Sequence, residues 1–246
     1  MNSSDTFTQL WVYLGTSPLL WLSLTVWAYV LSVRLQRALG GGAWANPVML
    51  SVAMLVAVLW LSDTPYATYF EGAKFVHFLL GTATVALAVP LRRNWHEVRS
   101  LLGPTVVAVI VGNVVSAAVA MIVLQLWGAP LALRLSIAPK SVTAPVAMGI
   151  AEKLGGLPAL TAVLVIVTGI LGATCITWLL KLMKVEDDAR RGLALGVVSH
   201  GIGTARGFQL GQGVGTFAGV GMALSTLAAS LLVPLVAQLL SQLAGA

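Results

Sequence analysis

An all-α, polytopic membrane protein is the fold class this sequence predicts, and three observations predict it. Of its 246 residues 58% are hydrophobic and only 9% are charged, against about 25% charged in an ordinary soluble domain. A chain so poor in charge lacks the polar surface that water demands, and a mean hydropathy of +0.93 argues against a soluble enzyme. The apolar stretches are also continuous, whereas a transmembrane barrel alternates polar and apolar residues, so helices must satisfy the backbone in lipid. Finally, 25 glycines and 10 prolines are spread through apolar sequence, as in membrane helices, where both are commoner than in soluble ones.

A bilayer core of about 30 Å takes roughly 20 apolar residues of helix, fewer or more with thinning or tilt. Residues 10–33 supply the first such run; the stretch before it carries Asp5 and no Lys or Arg, so no cleaved leader is expected. Residues 46–62, 75–91 and 101–127 supply the next three. Residues 131–151 are apolar but interrupted by Pro139, Lys140 and Pro145. An uninterrupted run, 157–180, follows. Residues 193–208 are again interrupted, by His200, three glycines and Arg206, before a last run over 214–240. The expectation is about seven spans with interrupted or re-entrant helices, an inverted-repeat transporter core being one form of it. No hydrophilic stretch is long enough for a separate domain, so residues 1–246 are read as a single transmembrane domain.

Charge orients the spans. Nine of the fourteen basic residues fall in three groups: Arg34 and Arg37; Arg92, Arg93 and Arg99; and Lys181, Lys184, Arg190 and Arg191. Basic loops are cytoplasmic, so the three groups should share that side and the N-terminus should be external. Counting then requires residues 131–151 to begin and end outside. That makes the region from Pro139 to Pro145 a re-entrant tip; the alternative is a broken helix that crosses fully and leaves four basic residues outside. The net charge of +6 is loop charge on this reading, and no nucleic-acid partner is expected.

The interruptions carry the functional argument. In Ala138-Pro-Lys-Ser-Val-Thr-Ala-Pro145, Pro139 lacks an amide hydrogen and disfavours helix at Ala138, so a helix from Leu131 should stop there. Ser141 or Thr143 can cap a new helix with Pro145 in its first turn. The result is a helix N-terminus at membrane depth beside Lys140, and such an end favours anions. A cation there costs at least about 2.5 kcal/mol and tends to mark a site. In Val198-Ser-His-Gly-Ile-Gly-Thr-Ala-Arg-Gly207, the glycines weaken the helix while Ser199, His200, Thr204 and Arg206 supply donors. Arg206 has no acidic residue within ten positions on either side, and its planar fork suits a carboxylate or phosphate. The bland readings are a snorkelling arginine and a packed, hydrogen-bonded His200. Gly81-Thr-Ala-Thr84 echoes Gly203-Thr-Ala-Arg206, a trace of the kind inverted repeats leave, and brings Thr82 and Thr84 into the candidate set.

Absences decide as well. None of the eight acidic residues sits within a clearly apolar run, whereas a cation carrier or proton pump would offer carboxylates there. Cys175 has no partner, His77 and His96 form no metal spacing with His200, and no catalytic triad or phosphate loop is present. Neither enzyme activity, a metal nor a cofactor is expected.

At these residues the chain resembles a known family. The motifs from Ala138 to Pro145, the following Gly155-Gly-Leu-Pro158, and Ser199-His-Gly-Ile-Gly-Thr-Ala-Arg206 look like hallmarks of the LrgB/CidB family. Gly81-Thr-Ala-Thr-Val-Ala-Leu-Ala-Val-Pro90 looks like another hallmark, although the family pattern has a proline where this chain has Thr82. The likeness runs from about Asn46 onward. It implies either of two functions. Bacterial members are described as antiholin-like proteins that control murein hydrolase activity beside an LrgA/CidA-type membrane partner. Plastid relatives exchange glycolate and glycerate, and bacterial members are implicated in pyruvate or acetate movement. The expected reading is a secondary transporter of small hydroxy- or oxo-monocarboxylates in the bacterial cytoplasmic membrane, proton-coupled and homo-oligomeric. Its substrate-binding residues would be Lys140, Ser141, Thr143, Ser199, His200, Thr204, Arg206, Thr82 and Thr84. The alternative is the antiholin-like regulator.

Overall fold

A computed structural model describes residues 17–41, 45–86 and 88–244. Every regular element among them is an α-helix: α1 (Pro18–Ala38), α2 (Pro47–Leu61), α3 (Tyr66–Ala86), α4 (Ala88–Arg93), α5 (Trp95–Ser100), α6 (Leu102–Leu126), α7 (Leu131–Ile137), α8 (Ala144–Leu154), α9 (Pro158–Leu182), α10 (Asp188–Leu210) and α11 (Gln212–Ala244). Four of these, α1, α6, α9 and α11, are long and apolar enough to cross a membrane, and α2 is a shorter apolar helix. The chain divides into two compact units, Met1–Ala88 and Val89–Ala246.

In the first unit α1 packs against α2 and α3. Proline at the first helical position starts α1 and α2. Asn46 caps α2 by accepting from the Val48 amide at 2.8 Å and the Met49 amide at 3.4 Å. Gly72 lets α3 close onto the start of α1, since a Cβ there would strike the Pro18 carbonyl and Trp21. The Trp21 ring, fully buried, meets Tyr69 edge-on at 6.0 Å. The third run was expected over 75–91, but α3 starts at Tyr66. Its two charges, Glu71 and Lys74, pair one turn apart and so do not end the helix.

The second unit is built on α6, α9 and α11. Asn113 of α6 and Ser225 of α11 bond reciprocally, Nδ2 donating to the hydroxyl at 2.9 Å and the hydroxyl donating to Oδ1 at 3.2 Å. Ala117, Met121, Val165, Ala229 and Val233 belong to one buried core with Ala138 and Val142.

The first interruption is a hairpin. Helix α7 ends at Ile137 with Ala138 as its C-cap, directly before Pro139, as the missing proline amide requires. Turns follow through Lys140 and Val142, and α8 then runs to a left-handed C-cap at Gly155. Eleven residues of helix extend about 16 Å. Yet Gly156 lies against the residues where the segment set out, its Cβ position 3.0 Å from the Ser136 amide. The Leu157 amide donates to Ser136 Oγ at 2.7 Å, and Thr161 Oγ1 donates to the Ser136 carbonyl at 2.9 Å. The chain therefore doubles back.

The second interruption is a hairpin as well, where sequence predicts only a weakened helix. His200 has φ 42° and ψ −128°, so α10 is two arms, 188–199 and 201–210. In a straight helix residues 195 and 203 would stand about 12 Å apart along the axis. Here Gly203 abuts the Leu195 carbonyl, leaving no room for a Cβ. A straight 188–211 would span about 34 Å, yet a Cβ on Gly211 would lie 4.0 Å from Asp188 Oδ2. Both arms straddle α11: Gly192 and Gly196 press on Val214 and Ala218 from the first arm, Gly207 on the same residues from the second. The glycines serve these close approaches, and the turn falls on a histidine instead.

The two hairpins are joined to opposite ends of α9, the first at its start through 155–157 and the second at its end through 183–187.

Candidate functional site

Where the first hairpin turns, Lys140 reaches to α6. Its Nζ donates to the Ser116 carbonyl at 2.9 Å and to Ser116 Oγ at 2.7 Å. Ser116 Oγ also shares a hydrogen bond with Ser141 Oγ at 2.7 Å. A lysine has three donors, so two are used here and the third is left for a ligand or water. Thr143 occupies the N-cap position of α8 as expected, but its hydroxyl makes no capping bond. Pro145 at N2 contributes no amide hydrogen, so the first turn presents the amides of Ala144 and Val146 without a side-chain cap. That turn is electropositive.

Where the second hairpin turns, Ser199, His200 and Thr204 are all buried. His200 Nε2 lies 3.1 Å from the Val165 carbonyl. A carbonyl only accepts, so Nε2 carries the hydrogen and Nδ1 is the basic atom of the neutral ring. Thr204 Oγ1 donates to the His200 carbonyl at 3.0 Å, one turn back in the chain. Ser199 Oγ is buried without a hydrogen-bond partner among the described residues. Gly169 and Gly172 of α9 make room for this turn: a Cβ on either would strike the His200 ring or Ser199 Oγ.

Val165 links the two turns. Its carbonyl holds His200, and its side chain belongs to the core cluster with Ala138 and Val142. Lys140 and Ser141 are thus joined directly, and Ser199, His200 and Thr204 form a second group against the same face of α9, the one that carries Thr161, Val165, Gly169 and Gly172. Arg206 stands apart from both, six residues beyond His200, with Nη1 donating to Gln209 Oε1 at 2.9 Å. Thr82 lies on α3 in the first unit, exposed, its hydroxyl donating to the Leu79 carbonyl at 2.8 Å. The Thr84 side chain falls outside the described residues.

Among the described residues no carboxylate bonds to either turn. Glu152 is exposed on α8, and Asp187 and Asp188 sit at the start of α10, where Asp187 accepts from the Arg190 amide at 2.8 Å. Among the described residues no group of three or more His, Cys, Asp or Glu comes together to hold a metal. The donors at the turns, an ammonium, hydroxyls and amides, suit an anion. Sequence reasoning missed Ser116, Asn113 and Ser225. Their only signal is polarity in apolar runs, which membrane helices also show where a hydroxyl bonds its own backbone.

Residues 25–239 match the LrgB-like family. The uncharacterized protein YxaC of Bacillus subtilis is 35% identical over 213 residues, covering 87% of this chain and 92% of that one. The holin-like protein CidB of Staphylococcus aureus is 27% identical over 216 residues, covering 88% and 94%. No solved structure matches.

Proposed function

This chain belongs to the LrgB-like family, and from that premise we propose that it is a holin-like, multi-pass protein of the bacterial cytoplasmic membrane that moves a small organic anion. The similarity to holin-like CidB supports the holin-like part further than it supports any named solute. In its regulatory form, control of murein hydrolase activity through an LrgA/CidA-type partner, the reading needs no solute at all. One observation favours transport: Lys140, partly buried and without a carboxylate partner, lies at the turn of one hairpin while a second hairpin enters from the opposite end of α9. Regulation of the envelope is then a consequence of metabolite flux.

The anion is a hydroxy- or oxo-monocarboxylate of the glycolate, glycerate, lactate or pyruvate class. Its carboxylate takes the free donor of Lys140 and the amides at the start of α8, and its hydroxyl or oxo group bonds Ser141, Thr143 or Ser199. Arg206 lines the approach along the second hairpin. Importing a monocarboxylate alone works against an inside-negative potential at about 2.3 kcal/mol per 100 mV. A co-transported proton cancels the charge, with His200 Nδ1 as its carrier. The protein acts as one membrane domain and assembles as a homo-oligomer.

Proteoliposomes holding only this protein test the reading. Accumulation of labelled glycolate, lactate or pyruvate under an inward proton gradient without sodium is the expected result. No uptake of any of the three leaves the regulatory form, and an absolute sodium requirement removes His200 as the proton carrier.

A further inference from the structure

A second arginine, assigned no role above, is held in the same way as Arg206. Arg134 of α7 donates from Nη1 to Gln125 Oε1 at 3.0 Å, as Arg206 donates from Nη1 to Gln209 Oε1 at 2.9 Å. In both, Nε is buried and has no hydrogen-bond partner among the described residues. Neither forms an ion pair with any described residue. Arg134 precedes Lys140 by six residues, and Arg206 follows His200 by six.

This geometry has a chemical meaning. The guanidinium offers five donors in a fixed plane, and the edge formed by Nε and Nη2 matches two coplanar oxygens of a carboxylate or phosphate. The glutamine ties up Nη1 and fixes the plane, while the Nε side of each head makes no bond to the protein. A snorkelling arginine would extend its head toward water and leave Nε accessible. These two instead hold a neighbouring side-chain amide through Nη1, and their Nε hydrogens are left without a protein acceptor, which is unfavourable for a charged donor unless an acceptor arrives.

We propose that Arg134 and Arg206 are a matched pair of oxyanion-binding subsites, one on each hairpin, that receive the carboxylate on opposite sides of the turns. The assignment rests on the transport reading above for its solute and on the two hairpins for its sidedness, since their bases lie at opposite ends of α9. Each subsite binds one planar oxyanion side-on to Nε and Nη2 and hands it to the amides and ammonium at the turn. Glutamine is suited to the fixing role because its amide oxygen orients the arginine without neutralising it; an acid there would compete with the solute.

Two measurements test the pair. In nanodiscs of phosphatidylcholine, modification of each arginine by phenylglyoxal is followed by mass spectrometry with and without glycolate. Glycolate should slow the modification of both arginines at least threefold. No slowing at either overturns the proposal. Slowing of Arg134 only in phosphatidylglycerol, unaffected by glycolate, identifies a lipid phosphate as the occupant and also overturns it. In oriented proteoliposomes, Arg134→Lys should raise the half-saturating glycolate about tenfold from the side of the first hairpin only, and Arg206→Lys from the other side only. Equal effects from both sides overturn the sidedness. Protection without any transport sinks the transport reading and leaves the subsites; transport without protection does the reverse.

Discussion

Ser116 is the residue whose importance the sequence hides. Hydroxyls in apolar helices commonly bond the carbonyl one turn back, as Thr177 does to Ala173 at 2.9 Å and Thr226 to Met222 at 2.8 Å. Ser116 instead holds Lys140 and Ser141. Lys140 itself was legible because an ammonium in an apolar run is costly enough to need a reason. Replacing Ser116 by Ala should remove one charge-assisted bond and one neutral one, about 2 kcal/mol in all. The checks are thermal unfolding in detergent, which should shift downward, and labelled monocarboxylate uptake, which should fall while expression persists. Strain at His200 was not legible either. Its positive φ costs about 1–3 kcal/mol, and the sequence offers glycines on that stretch where such a conformation would be cheap. His200→Gly should relieve the backbone yet lose the bond to Val165, so unfolding temperature should change little while uptake falls sharply. Unchanged uptake would take the imidazole out of the site.

At the level of elements, the α10 hairpin rests on contact between its own arms. Gly203 faces the Leu195 carbonyl and Ser199 Cβ, both of them poor at giving way, whereas a Cβ on Gly201 would meet nothing nearer than Met222 Sδ at 4.0 Å. The two glycines read alike in sequence and should behave oppositely. Gly203→Ala should destabilise by about 1–3 kcal/mol through overpacking against backbone. Gly201→Ala should be neutral or stabilising by up to about 1 kcal/mol, because alanine loses less freedom in a helix. Denaturation of the two variants in the same detergent decides between this packing and a straight α10, in which residue 203 would be nowhere near residue 195. The α7–α8 hairpin was the more predictable element, since a proline without an amide hydrogen stops the helix at a definable place.

For the whole molecule, a second hairpin changes the topology that basic loops alone would give. Among the described residues four helices, α1, α6, α9 and α11, are long and apolar enough to cross a membrane, and on the proposed topology each hairpin enters and leaves on one face, the two on opposite faces. Single cysteines in a Cys175→Ser background test this with an impermeant label. Val185 and Gly211 should react from one side, the cytoplasmic one, and Ala129 from the other. Labelling of Val185 and Gly211 from opposite sides would restore α10 as a crossing helix. The sequence by itself determined the helical membrane class, four of the long apolar helices to within a few residues where they are described, the break at Pro139 and the family. Those rest on composition, on the length of hydrocarbon a helix must cover and on the missing proline amide, all of which act locally. Tertiary structure alone decided that α10 folds back, that Ser116 serves Lys140, and that Arg134 and Arg206 are held alike. Each of these depends on which backbone approaches which, and glycine permits close approach without saying to what.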